Sequence, residues 1–184
     1  ESHYFLGVLY QRWSEDETSL IEYKVAMRKD ASHPQYFMAV AETHVALGQL
    51  DEALDFLLTS GKEFQHQPSV PALIGQIYLL QGDPEKAAKY LSDSQLLGND
   101  GPEILTSLAS AEFDAGMYAH CLMTLQHLEE STDELPPIYQ RMRGKCLFST
   151  GRVQQGRDLC LVVTRMTPQE AGAWLDLGYI AWHM

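Results

Sequence analysis

The sequence predicts an all-α protein, a linear array of helix–turn–helix units stacked side by side, and three regular spacings predict it. Gly48, Gly82, Gly116 and Gly151 follow one another at 34, 34 and 35 residues. A proline stands 14 residues before each of them, at Pro34, Pro68, Pro102 and Pro137. Small residues flank each glycine at fixed offsets. Seven before it lie Ala41, Gly75, Ala109 and Gly144, and five after it Ala53, Ala87, Cys121 and Gly156.

Each spacing has a physical cause. Proline is tolerated in the first turn of a helix, where its missing N–H has no partner to lose. Glycine about a dozen residues later ends that helix by adopting a left-handed backbone. Small residues on both helices let their axes come close. Apolar residues recur at helical spacing, as in Leu54, Leu57 and Leu58 or in Ile74, Ile77 and Tyr78. Neither helix buries its apolar stripe alone, so neighbouring units must stack.

The same ruler finds two further copies. Leu6-Gly7 lies 34 residues before Val40-Ala41, Tyr23 and Ala26 stand where Leu57 and Ser60 stand later, and Ser14 replaces the turn glycine. Leu177-Gly178 lies 34 residues after Arg143-Gly144. One array over 1–184 is therefore expected, with units 1–33, 34–67, 68–101, 102–136 and 137–170 and a terminal first helix at 171–184. Trp174, Leu177 and Gly178 are expected to pack on the helix at about 153–165, leaving Ala181 and part of Trp182 exposed. Residues 137–170 depart most from the pattern, through Gln140, Arg143, Val153 and one extra residue across Glu134–Pro137. Gly156 stands there in place of alanine, which in a helix interior costs about 1 kcal/mol, so less regular packing is expected. Ser14 with Glu17, and Thr167 with Glu170, have the spacing of capping boxes.

With 184 residues, 45% of them apolar, the chain can bury a substantial core. No apolar run approaches the roughly 20 residues that cross a bilayer. The chain opens on Glu1 without a signal-peptide pattern, so a fragment of a longer protein is expected. The net charge of −12 argues against a general nucleic-acid binder. That charge is uneven: residues 1–136 carry −15, residues 137–170 carry +4. Cys121, Cys146 and Cys160 show no zinc or disulfide spacing and are expected as reduced thiols packed like small hydrophobes. They favour the cytoplasm, with a bacterial periplasmic or secretion-associated setting left open.

The 34-residue period, the Trp174-x-x-Leu177-Gly178 phrase, the Gly48…Ala53 and Gly82…Ala87 phrases, Tyr78 and the prolines Pro34, Pro68, Pro102 and Pro168 resemble the tetratricopeptide repeat family. The resemblance spans nearly the whole chain. It implies a right-handed superhelical solenoid of about five units plus one terminal helix, with first helices lining a concave groove. The groove positions it implies are Tyr4, Val8 and Arg12; Met38, Glu42 and Val45; Ala72, Gln76 and Leu79; Thr106, Ser110 and Phe113; Arg141, Lys145 and Phe148; and Leu175, Tyr179 and Trp182. Such a lining suits a peptide with apolar anchors and an acidic group held by Arg141 and Lys145, though some of these side chains have the alternative of packing on the adjacent unit. The Lys/Asn/Arg clamp with which some members grip acidic chaperone tails has no counterpart here. Salt-dependent attraction of an acidic partner through Arg141, Arg143, Lys145 and Arg152 is a further expectation.

Catalytic patterns are missing. None of the seven histidines forms an H-E-x-x-H or H-x-x-x-H pair. His120 and His127 are about 10 Å apart along one helix and read as a solvated face. Nucleophile elbows and phosphate-binding glycine loops are absent. No catalytic, cofactor-binding or metal-ligating residue is therefore assigned, and no enzyme is expected. The leading expectation is a non-catalytic scaffold that binds a protein or peptide in its groove, without nucleic acid or membrane insertion. The alternatives are a homo-oligomer assembling through residues 171–184, or a regulatory or docking segment of a larger enzyme.

Overall fold

The computed structural model describes residues 1–60, 62–132 and 134–183; Met184, the last residue of the expected terminal helix, lies outside them. Among the described residues ten helices form five antiparallel pairs. These are α1 Ser2–Arg12 with α2 Asp16–Lys29, α3 Pro34–Ala46 with α4 Leu50–Ser60, and α5 Ser69–Gln81 with α6 Pro84–Leu96. They continue with α7 Pro102–Asp114 and α8 Tyr118–Ser131, then α9 Pro137–Ser149 and α10 Val153–Met166, and end on the single helix α11 Ala171–Trp182. A short 3-10 turn, Lys62–Phe64, follows α4. Each helix packs on the one before and after it, and first helices of successive units also touch, α3 on α5, α5 on α7 and α9 on α11. The first helices thus lie on the inner side of a superhelix.

The five turns within the pairs share one hydrogen-bond pattern. In the second pair Gly48 N–H reaches Val45 O and Gln49 N–H reaches His44 O. The same two bonds recur at Gly82, Gly116 and Gly151, each with φ between +71° and +85°. This satisfies carbonyls that the helix end leaves open. In the first pair Ser14 does the same at φ +60°, bonding to Gln11 O while Glu15 bonds to Tyr10 O. A side chain in that region meets its own carbonyl, a strain that glycine avoids.

Pair closure depends on the small residues. A Cβ on Gly7 would stand 2.5 Å from the Tyr23 ring, one on Gly75 2.6 Å from Leu91 Cγ, and one on Gly144 2.5 Å from Cys160 Sγ. All three contacts join residues 16 apart, a first helix to the second helix of its own unit. In α9 and α10 the backbones themselves meet, for a Cβ on Gly156 would lie 2.6 Å from Gly144 O and 2.8 Å from Phe148 N. The glycine expected to loosen this unit is what lets it close.

Apolar side chains form a series of cores along the array. Phe37, Leu57, Phe64, Ile74 and Ile77 fill the space among α3, α4 and α5, and Ala87, Leu91, Ile104 and Leu108 that between α6 and α7. Leu105, Leu125, Leu128, Leu135, Cys121 and Cys146 join α7, α8 and α9. All three cysteines are free thiols and buried. Burial pushes the Cys160 thiol up to about 11, and Cys121 is raised by hydrogen bonding with Cys146 and by burial. They pack as the small hydrophobes expected.

Three local expectations are corrected. Ser14 and Thr167 cap nothing, because the N-cap residues of α2 and α11 are Glu15 and Glu170, neither with a side-chain cap bond. Ser14 is occupied by the left-handed turn, and the Thr167 hydroxyl donates backward to Val163 O. The terminal helix buries Ala173 and Ile180 rather than Trp174 and Gly178. Trp174 is 53% exposed, and a Cβ on Gly178 would meet nothing within 4 Å. Gly178 holds the register of Gly144, and that position faces the second helix of its own unit, not the preceding one. Ala181 and Trp182 are exposed, as expected.

Two substitutions of opposite sign test this account by thermal or urea denaturation. Ser14→Gly is expected to stabilise by about 0.5–1 kcal/mol, removing left-handed strain against a small entropic loss. Gly156→Ala, which raises helix propensity, is expected to destabilise by about 1–3 kcal/mol because its methyl meets backbone. A stabilised Gly156→Ala variant would show that the helices have room to part.

Candidate functional site

The groove positions are carried by α1, α3, α5, α7, α9 and α11, and their surroundings divide the inner surface into two zones. Toward the amino-terminal end many are absorbed by packing. The Tyr4 ring lies 5.5 Å from Tyr23 and 5.1 Å from Tyr36, and Val8 packs against the same cluster. Arg12 is exposed beside Gln11, the residue that keeps register with Val45 and Leu79 and accepts a hydrogen bond from the Tyr23 hydroxyl. Met38 and Val45 lean on the core of α3–α5, Leu79 on that of α6–α7, and Ala72 is buried within the latter, so Ala72 offers no groove surface.

Glu42 and Gln76 stay exposed on this wall. The Glu42 carboxyl is raised above its ordinary value by desolvation: its surface is open, yet the surrounding helices displace much of the bulk water that would stabilise its charge. Ser110 turns its hydroxyl into its own helix, donating to Thr106 O at 2.9 Å. Thr106 likewise donates to Glu103 O.

Toward the other end the residues converge. Phe113 meets Tyr118 edge-on at 5.9 Å, and Lys145 Nζ sits 5.1 Å from the Phe113 ring centroid. Phe148 meets Tyr179 edge-on at 6.0 Å, and Tyr179 packs on His183 at 4.2 Å. A half-open cavity of about 440 Å³ lies among Tyr118, Lys145, Phe148, Leu175, Asp176 and Tyr179. Tyr179 is 56% exposed, Leu175 73% and Trp182 85%. The aromatic edges there are available to an apolar group.

Arg141 and Lys145, expected to hold an acidic group of a ligand, hold acidic groups of this chain instead. Arg141 pairs with Glu170 at 2.5 Å, and its Nε lies 3.1 Å from Asp176 Oδ2, while Lys145 Nζ lies 3.1 Å from Asp176 Oδ1. The Asp176 side chain is only 13% exposed. Among the described residues its Oδ2 meets no donor in hydrogen-bond alignment, so the attraction is mainly ionic. Arg143 is likewise paired, with Glu129 at 2.7 Å. Arg152 is exposed and lies outside the inner surface, beside Arg143 and Leu147 in a separate cavity. Asp176 and Glu170 were missed from sequence because their partners sit one unit away, where only stacking brings i and i+29 to i+35 together.

No protein-family model matches the sequence, and no curated protein matches it. Solved structures do match its shape. A TPR protein with an unusual peptide-binding site, YrrB, superposes with a TM-score of 0.78 at 15% identity, over 94% of this chain and 88% of that one. The chain has the tetratricopeptide-repeat fold. Among other structures of this fold, a tetratricopeptide repeat protein from Parabacteroides merdae gives 0.76 at 12% identity, over 98% and 72% of the two chains. Pseudomonas aeruginosa pilF gives 0.71 at 15%, over 99% and 81%. In this tetratricopeptide array no described helix is long and apolar enough to cross a membrane, and no three described His, Cys, Asp or Glu side chains gather as a metal site.

The ion-pair cluster ties α11 to α9. Asp176→Asn is expected to lower stability by about 1–3 kcal/mol, since it leaves Arg141 and Lys145 half-matched in a partly desolvated place. Hydrogen exchange should quicken across α11 and little elsewhere; unchanged exchange there would remove the cluster from the account of how α11 is held.

Proposed function

We propose that the protein is a non-catalytic interaction module that holds a peptide or protein segment in its inner groove, at the end built by α7, α9 and α11. The carrying observation is the cavity of about 440 Å³ walled by Phe148, Tyr179 and Tyr118. Aromatic rings at a concave surface provide rigid apolar contact with little conformational entropy to lose, which favours them as anchor sites. The bound segment supplies an apolar side chain to this cavity and polar contacts toward Glu42, Gln76 and Lys145. An acidic group on the segment would compete with Asp176 for Lys145, so acidity adds less to affinity than the sequence alone suggests. The negative charge of residues 1–136 disfavours nucleic acid as the partner. The peptide-binding site named for YrrB supports the same reading by analogy of fold.

A second reading has its own observation. Trp174, Leu175, Tyr179 and Trp182 are all more than half exposed on the last helix, and Gly178 between them faces open space. A second copy covering this face would make a homo-oligomer.

Affinity purification followed by titration of overlapping peptides from the captured protein identifies the bound segment. Phe148→Ala with Tyr179→Ala is then expected to weaken binding at least about tenfold, with circular dichroism unchanged. Folded double variants that bind as well as the parent would place binding elsewhere. For self-association, light scattering over a concentration series should show growth in mass that Trp182→Ala reduces; a monomer at every concentration would exclude it.

A further inference from the structure

Corresponding positions in successive units make the same cross-helix contact. In unit two His44 lies 6.5 Å from Phe56, and in unit three Tyr78 stacks on Tyr90 at 5.6 Å. Thirty-four residues further on, the pair is Glu112 and Thr124. Thr124 Oγ1 donates to Glu112 Oε2 at 2.7 Å, and Glu112 is 5% exposed. An aromatic pair has become a buried carboxyl and a hydroxyl, both smaller, and a cleft of about 360 Å³ opens there between α6 and α8.

The walls of the cleft are rich in acceptors. Besides the Glu112 carboxyl they include Gln95, whose Nε2 lies 3.1 Å from His127 Nδ1, and the exposed His120. With Nε2 donating to His127, the Gln95 carbonyl oxygen is left as an acceptor. Glu112 Oε1 takes no hydrogen bond from any described residue, and no cationic side chain of those residues pairs with this carboxyl. Met123, 70% exposed, stands at the rim as apolar cover for a methylene stem. A carboxylate set so deep with one hydroxyl donor is poorly compensated, and a cation supplying several N–H donors compensates it.

We infer that the cleft between α6 and α8 is a binding site for an ammonium or guanidinium group, with Glu112 as its counter-ion and Gln95 as a second acceptor. It opens between second helices, apart from the inner groove, and does not rest on the groove reading. The charge of −15 on residues 1–136 favours approach of such a cation. Two sources carry the same chemistry, a free small cation and an arginine or lysine side chain of a protein.

Desolvation raises the Glu112 carboxyl above its ordinary value, opposed by the Thr124 hydrogen bond and by His120. Occupancy therefore requires a pH above that raised value. The titratable side chains lining the cleft beside Glu112 are His120 and His127 on α8; α6 presents Ser92 and Gln95, which do not titrate. Acidification neutralises Glu112, and loss of the counter-ion expels a cation.

The test titrates arginine amide in one arm and a blocked pentapeptide with a single central arginine in the other, following the His120 and His127 ring resonances by NMR at pH 7.5. Saturable shifts in either arm are expected, and they weaken as the pH is lowered through the raised Glu112 range. Shifts with the peptide alone identify a protein side chain as the source; equal shifts in both arms identify a small cation. Glu112→Gln keeps the Thr124 contact and removes the charge, so it is expected to lose at least about tenfold in affinity while its thermal midpoint stays level or rises. Glu112→Tyr restores the residue of unit three, fills the cleft and should abolish binding. Absence of shifts in both arms at millimolar ligand, or undiminished binding by folded Glu112→Gln, would overturn the assignment.

Discussion

Three units of this array close through a contact that leaves no room for a side chain, and the other two place only the methyl groups of Ala41 and Ala109 there. Gly7 against Tyr23, Gly75 against Leu91 and Gly144 against Cys160 set how near two antiparallel helices come. That distance fixes how much apolar surface the pair buries and how the next unit stacks on it. Because first helices lie on the inside, it also fixes the width of the groove and the spacing of its lining residues. The consequence at the last helix is direct: Gly178 holds the same position, and the face it presents is open.

The framework is shared by all units, while the residues that fill it differ, and the differences give each stretch its chemistry. Where unit three places two stacked tyrosines, unit four places Glu112 and Thr124. Where the preceding units have neutral residues or the acidic Glu42 at these inner-wall positions, α9 has Arg141 and Lys145, matched from α11 by Asp176. A cation pair that reads as an invitation to an acidic ligand is thereby turned into a tie between neighbouring helices. The apolar and aromatic edges around Phe148 and Tyr179 remain as the groove's own offering.

Much of the fold was legible because its determinants are local and periodic. Turn glycines need only their own backbone, so Gly48, Gly82, Gly116 and Gly151 mark their turns unaided, and Ser14 was identified as a substitute from its place in the count. The candidate site was less legible. Helical phase named the inner-wall positions, but whether Ala72 is open or buried depends on the neighbouring unit. Asp176 and Glu170 answer to partners about one period away, and Glu112 becomes unusual only beside its counterparts His44 and Tyr78.

By itself the sequence determined the period, the positions of the turns and the small residues that permit close pairing, since each acts within one turn or one helix pair. Only the tertiary structure decided which charges meet, which caps form, that Gly156 closes a backbone contact, and that Gly178 faces open space. Those outcomes depend on the distance between separate helices, which is set by how every side chain in the interface packs and not by any one spacing along the chain.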